Sequence, residues 1–272
     1  MSEEEVKKFK ENNRMSPEII EKNGEKYFIK EDEDYKNKKY NKYCNLDRYF
    51  IKIPQYGNDF YNESQIDNQT YNKLKINYAN KAYTNRLNYE IVFDFDNNKR
   101  LIFILFNPST ANEYNLDPTI RNCKRITQAL NKAKNGNYGG ILIYNTFTVR
   151  HPKIDEALEK IDPNYEINNN PIFNICKSIN QKDINDICIA WGNSVKKLKK
   201  IKINDSNQSY FERINEEIKN LKDNKFSIYA FNFNEKDLKQ PTHPSRQNHK
   251  QLNVFFDKPE LKLITKCPND PE

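Results

Sequence analysis

The chain has 272 residues, 31% of them charged and 36% hydrophobic, with a formal net charge of +7. That length holds one large domain or two small ones, and the apolar content suffices for a core, which excludes a wholly disordered chain. The apolar runs are far shorter than the ~20 residues of a membrane span, and the start, MSEEEVKKFKENN, lacks an apolar signal region, so a cytoplasmic protein without membrane attachment is expected.

Residues 1–45 are polar and Lys/Glu/Asn-rich, and are expected to form an N-terminal arm or a decoration. Tyr49–Ile53 (YFIKI) reads as a strand. YEIVFDFDNNKRLIFILF reads as two strands joined by a turn at Asp96–Lys99. The second run, Leu101–Phe106, is nearly all apolar, as in a strand covered on both faces. A polar loop, NPSTANEYNLDPTI, follows. Residues 119–134 then carry a helical period, with Ile120, Cys123, Ile126, Thr127 and Leu130 on one face.

GGILIYN reads as a second buried strand ending at Asn145, Pro171–Asn180 as a helix, and ICIAWG as a third buried strand. A basic helical stretch, a helix over 210–222 and a fourth strand, FSIYAF, complete the series before PTHPSRQN. Strands alternating with helices predict an α/β class, in three α/β/α layers with a central, mainly parallel four-stranded sheet and an N-terminal β-rich decoration. The expected domain spans 46–256, with its core at 90–256 and a tail at 257–272. In such sheets, sites lie beyond the carboxyl ends of the strands. That rule selects the loops after Phe106, Tyr144, Trp191 and Phe231. No Gly-rich phosphate loop is present.

The five cysteines, Cys44, Cys123, Cys176, Cys188 and Cys267, are dispersed and not at zinc-ligand spacing, and the histidines are His151, His243 and His249. No metal and no cofactor are therefore expected. Lys196, Lys197, Lys199, Lys200 and Lys202 form a basic run, either a solvated face or a surface that follows phosphates.

Four polar segments can carry chemistry. Asn107-Pro108-Ser109-Thr110 follows a buried strand, where an Asn amide can hold a water by donor and acceptor together; the same residue types also start turns. His243 sits between Pro241 and Pro244, on a stiff backbone, where it can donate to charge developing on a leaving group. Asn145 can read an edge bearing one donor and one acceptor, or satisfy the next turn. Asp117-Pro118-Thr119 reads as a helix cap or as a site carboxylate. Tyr114 and Phe147 can stack on a base, though core packing competes for Phe147.

In chain order, FNPST, YGGILIYNTFTVR, ICIAWGNSVKKLKK and HPSRQN resemble the four motif segments of the uracil-DNA glycosylase superfamily, over about 140 residues. The NPSTAN…DPTI…C signature also resembles a bacterial family known only as a domain of unknown function, related to phage-defence glycosylases. The resemblance does not cover residues 1–88 or the tail. It implies a monofunctional DNA glycosylase that flips a nucleotide and hydrolyses the N-glycosidic bond, leaving an abasic site. No Lys is placed to form a Schiff base.

The implied catalytic residues are Asn107, holding the water, and His243, stabilising the departing base. Asn145 would read the base edge, with Phe106, Tyr114, Asp117 and Phe147 around it. Ser109, Thr110, Ser194, Lys196, Ser245, Arg246, Gln247 and Asn248 would contact DNA, with Arg246 or Gln247 filling the gap left by the flipped base. The first motif has Asn where the fastest uracil enzymes have Asp, and lacks their following Tyr-His. The inserted ANEYNLDPT loop fits a larger base. A modified base in phage DNA, such as hydroxymethyl- or glucosyl-cytosine, is the expected substrate, DNA the expected partner, and a monomer the expected state. The alternatives are a non-catalytic reader of modified or damaged DNA, a uracil or base-damage repair glycosylase, and a nucleotide-processing hydrolase.

Overall fold

The computed structural model describes residues 19–22, 24–31, 48–52, 88–108, 116–149, 153–178, 186–203, 207–234, 237–244, 255 and 259–264. The expectations for Ser109, Thr110, Tyr114, Ser245, Arg246, Gln247 and Asn248 fall outside these residues.

Three strands precede the segment with the strongest apolar runs: β1 (Ile19–Lys22), β2 (Glu25–Glu31) and β3 (Arg48–Lys52). The first two lie in the stretch read as a polar arm or a decoration. Alternation within EKYFIKE explains them: the pleat sends neighbouring side chains to opposite faces. Tyr27 is buried, and its ring meets Phe95 edge-on at 4.9 Å. Phe50 of β3 meets the same ring at 4.7 Å.

Next come β4 (Tyr89–Val92) and β5 (Arg100–Leu105). They are consecutive but not neighbours, because β6 (Gly140–Asn145) lies between them, antiparallel to β4 and parallel to β5. Helix α1 (Pro118–Lys132) connects β5 to β6. Asp117 caps it by accepting from the Ile120 amide at 2.9 Å, and Pro118 occupies its first turn, where no amide is needed. Two short helices, α2 (Ile154–Leu158) and α3 (Pro163–Asn169), were not foreseen. The helix expected over 171–180 is a 3-10 turn, Pro171–Asn174, running into α4 (Ile175–Ser178).

Strand β7 (Asp186–Ile189) pairs in parallel with β5. The basic stretch Asn193–Lys200 is 3-10 rather than α-helical. Its buried residues Val195 and Leu198 are three apart, which matches a period of three residues per turn. Helix α5 (Tyr210–Asp223) opens with a reciprocal cap: the Ser209 hydroxyl accepts from the Glu212 amide, and the Glu212 carboxylate accepts from the Ser209 amide. Strand β8 (Ser227–Ala230) is parallel to β7. A ribbon of β9 (Phe233–Asn234) and β10 (Asp237–Pro241) follows. The expected tail contributes β11 (Lys262–Leu263), antiparallel to β8.

The strands make a mixed nine-stranded sheet in the order β1-β2-β3-β4-β6-β5-β7-β8-β11. The described residues therefore have an α/β fold. Side chains of β5 alternate between two cores, Leu101, Phe103 and Leu105 packing with α1, and Ile102 and Ile104 packing with α5. Each such buried side chain contributes about 1.5–3 kcal/mol by leaving water. No helix among the described residues is long and apolar enough to cross a membrane.

Candidate functional site

The parallel register sets Leu105 of β5 opposite Asn145 of β6, so the two expected amides, Asn107 and Asn145, leave adjacent strand ends. The two exits are tied together. The Thr146 amide donates to the Leu105 carbonyl at 2.8 Å, and the Thr146 hydroxyl to the Phe106 carbonyl at 2.5 Å. Phe106 and Phe147 meet edge to face at 5.2 Å. Both rings are fully buried, so in this conformation their role is to pack the strand ends, and neither offers a free face for stacking.

Asn145 is 1% exposed, and neither its Nδ2 nor its Oδ1 has a hydrogen-bond partner among the described residues. Leaving a buried polar atom unmatched costs about 1–3 kcal/mol. An apolar residue would serve a core position better, and the amide is chemically complementary to a group that presents one donor and one acceptor. Asn107 is partly buried, and its Nδ2 donates to the Pro108 carbonyl at 3.1 Å, which holds the side chain back over its own loop.

His243 is fixed from three sides. The Gly192 amide donates to the Pro241 carbonyl at 3.1 Å, and the Thr242 amide to the Asn232 carbonyl at 2.9 Å. The buried Asn122 of α1 donates its Nδ2 to the Pro244 carbonyl at 3.0 Å. Gly192 itself has φ +71°, a left-handed backbone that suits glycine. It follows Trp191, which is fully buried just past β7, and β7 is the other neighbour of β5. The strand ends of β6, β5 and β7 thus present Asn145, Asn107 and the Gly192–His243 contact side by side, at a strand spacing of about 4.8 Å.

The remaining expected residues are placed differently. Asp117 is the helix cap described above, with one oxygen committed to that task. Ser194 is partly buried and Lys196 exposed, both on the 3-10 segment after Gly192. Lys197 on the same segment pairs with Asp155 at 2.6 Å. The thiols stand apart from this chemistry. Burial pushes Cys188 up to about 12 and raises Cys123 well above its ordinary value, so neither is a thiolate at neutral pH. Among the described residues no group of three or more His, Cys, Asp or Glu is placed to hold a metal ion.

Several residues behind the site escaped sequence reasoning: Asn122, Thr148, Glu166, Asn170 and Tyr210. Glu166 of α3 is fully buried and accepts from the Thr148 amide at 2.8 Å and the Thr148 hydroxyl at 2.7 Å. Asn170 donates to Glu166 at 3.0 Å and to the Asn145 carbonyl at 3.1 Å. The Tyr210 hydroxyl donates to the Thr146 carbonyl at 2.7 Å. Burial raises the Glu166 carboxyl above its ordinary value, against the pull of the Thr148 and Asn170 hydrogen bonds. Only Asn122 left a sequence signal: a polar residue within the apolar helical face next to Cys123.

A family model described as "Protein of unknown function (DUF1643)" matches residues 89–245. No curated protein and no solved structure matches the chain. The matched span begins at β4 and takes in Asn107, Asn145, Gly192 and His243, while β1, β2 and β3 lie outside it. Over more than half its length, from β4 to the segment that follows His243, the chain belongs to the DUF1643 family.

Proposed function

We propose that the protein is a monofunctional DNA glycosylase related to the uracil-DNA glycosylase superfamily, acting on a flipped, modified nucleobase. The observation that carries this reading is the Asn145 amide, buried at a sheet's carboxyl edge with both polar atoms unmatched. A nucleobase edge offers a donor beside an acceptor, and is a natural complement to an amide. In this reading β6, β5, β7 and β8 are the mainly parallel four-stranded core of a three-layer α/β/α domain.

The reaction breaks the bond between the sugar C1′ and the base nitrogen, and its electron pair leaves with the base. Positive charge grows on the sugar and negative charge on the base. Asn107 holds the water that adds to C1′, His243 donates a hydrogen bond to the departing base, and the proton the water gives up passes through solvent to the base anion. Asn107 is no strong base, so its contribution is position. His243 acts only on charge that develops in the transition state, where each ~1.4 kcal/mol is about tenfold in rate. Phosphate contacts come from the 3-10 segment bearing Ser194 and Lys196, and from Ser109, Thr110 and Ser245. Destruction of phage DNA that carries modified bases is the role this substrate class suggests.

The test is incubation with uracil-containing, plain, hydroxymethylcytosine and glucosylated DNAs, followed by alkali and mass spectrometry of released bases. One released base with alkali-dependent breaks is expected, lost in Asn107→Ala and His243→Ala. Salt-sensitive binding with no release from any DNA would favour a non-catalytic reader that uses the same strand-end residues.

A further inference from the structure

Three consecutive peptides leave β6, and each is held by a different buried side chain. The Asn145 carbonyl accepts from Asn170, the Thr146 carbonyl from Tyr210, and the Thr148 amide donates to Glu166. Asn170 joins two of these ties, because its single Nδ2 also donates to the second Glu166 oxygen. Its Oδ1 is committed to the Ile172 amide at 3.1 Å, so its amide plane is fixed. Among the described residues no cation pairs with Glu166, which is fully buried. A buried carboxylate whose partners among the described residues are neutral donors is an expensive way to hold a turn, since apolar packing would serve stability better. What it supplies instead is direction. Its two oxygens face four donor groups, the Thr148 amide and hydroxyl, the Val149 amide and the Asn170 side chain, and only an acceptor at every point fits them.

We infer that Glu166, acting through Asn170 on the Asn145 backbone carbonyl, is a positioning residue that sets the direction of the Asn145 side-chain amide at the strand end. The inference rests on Asn145 being the base-reading group proposed above. Glutamine at 166 would turn an NH2 group toward a donor, and the mismatch would pass through Asn170 to the Asn145 peptide. DNA affinity, set by phosphate contacts, would be spared.

The test uses the full chain in four forms: wild type, Glu166→Gln, Asn170→Ala, and Glu212→Gln as a control that weakens the α5 cap. The side-chain amide signals of Asn145 are followed by nitrogen-15 NMR and assigned by their loss in Asn145→Asp. Single-turnover base release is measured at saturating and at limiting DNA. The expected result is displaced Asn145 signals in Glu166→Gln and Asn170→Ala, with maximal release down ~10- to 100-fold. Half-saturating DNA should change by no more than about twofold, and Glu212→Gln should leave the Asn145 signals unmoved. Unmoved Asn145 signals in a folded Glu166→Gln or Asn170→Ala protein would overturn the inference. If Glu166→Gln does not fold, Glu166→Asp, which keeps the charge but draws it back by one methylene, takes its place and must displace the Asn145 signals. If the wild type releases no base, the glycosylase reading fails, while the NMR shifts still decide whether Glu166 aims Asn145.

Discussion

Gly192 lies so close to His243 that a Cβ added to it would stand 2.9 Å from the His243 Cβ. The glycine also has φ +71°. Two conditions therefore meet at one residue, a left-handed backbone and the absence of a side chain, and both serve the placement of the imidazole.

Gly192→Ala should accordingly damage activity more than folding. The left-handed backbone alone costs a non-glycine residue about 1–2 kcal/mol, and the new methyl must push the His243 backbone aside. Urea unfolding measures the first effect and single-turnover base release the second. A variant with full release would show that His243 tolerates displacement and has no part in the transition state.

Asn145→Leu should separate stability from function in the opposite direction. It removes two unmatched buried polar atoms, so unfolding free energy should hold steady or rise by about 1 kcal/mol. Base release should vanish. A variant destabilised by several kcal/mol would mean that the native amide is satisfied inside the fold.

Asn122→Ala removes the hydrogen bond by which α1 holds the Pro244 carbonyl. The loss should cost about 1–3 kcal/mol. It should also loosen the His243 segment, seen as faster hydrogen exchange at Thr242 and His243. Unchanged exchange there would assign the rigidity of His243 to its flanking prolines and to the Gly192–Pro241 and Thr242–Asn232 hydrogen bonds.

Stability should depend on pH through Glu166. Its carboxyl is raised from the ordinary 4.5, with burial the largest cause. A carboxyl with a folded pKa above its unfolded one adds stability fully below the unfolded value, and loses it as pH rises through the folded value. The stability of the wild type relative to Glu166→Gln should therefore fall from about pH 4.5 toward neutrality, by at most ~1.4 kcal/mol per pH unit. Urea unfolding across that range measures it. A relative gain with rising pH would show that the Thr148 and Asn170 hydrogen bonds outweigh burial.

The sequence made some of this legible and hid the rest, for physical reasons. Runs such as RLIFILF declared themselves because a strand covered on both faces has no polar positions. Asn145 and His243 stood out because a polar group at the end of such a run, or between two prolines, has a constrained position. The insertion of β6 between β4 and β5 was hidden, because pairing between strands far apart in sequence leaves no local pattern. The strand β2 was masked by the lysines and glutamates flanking Tyr27 and Ile29. Glu166 was invisible for a different reason. It sits in an Asn-rich stretch that reads as solvent-exposed, and only the packing of α3 behind β6 buries it.

Base release is the measurement that bears most directly on the glycosylase proposal. Purified protein would be mixed with hydroxymethylcytosine, glucosylated, uracil-containing and plain DNA, and free bases identified by mass spectrometry. A glycosylase built on Asn107, Asn145 and His243 releases one base, leaves alkali-labile sites, and loses that activity in His243→Ala. Release that persists in both His243→Ala and Asn107→Ala, or no release from any of these DNAs at stoichiometric protein, would break the link drawn between these strand-end residues and cleavage of the N-glycosidic bond.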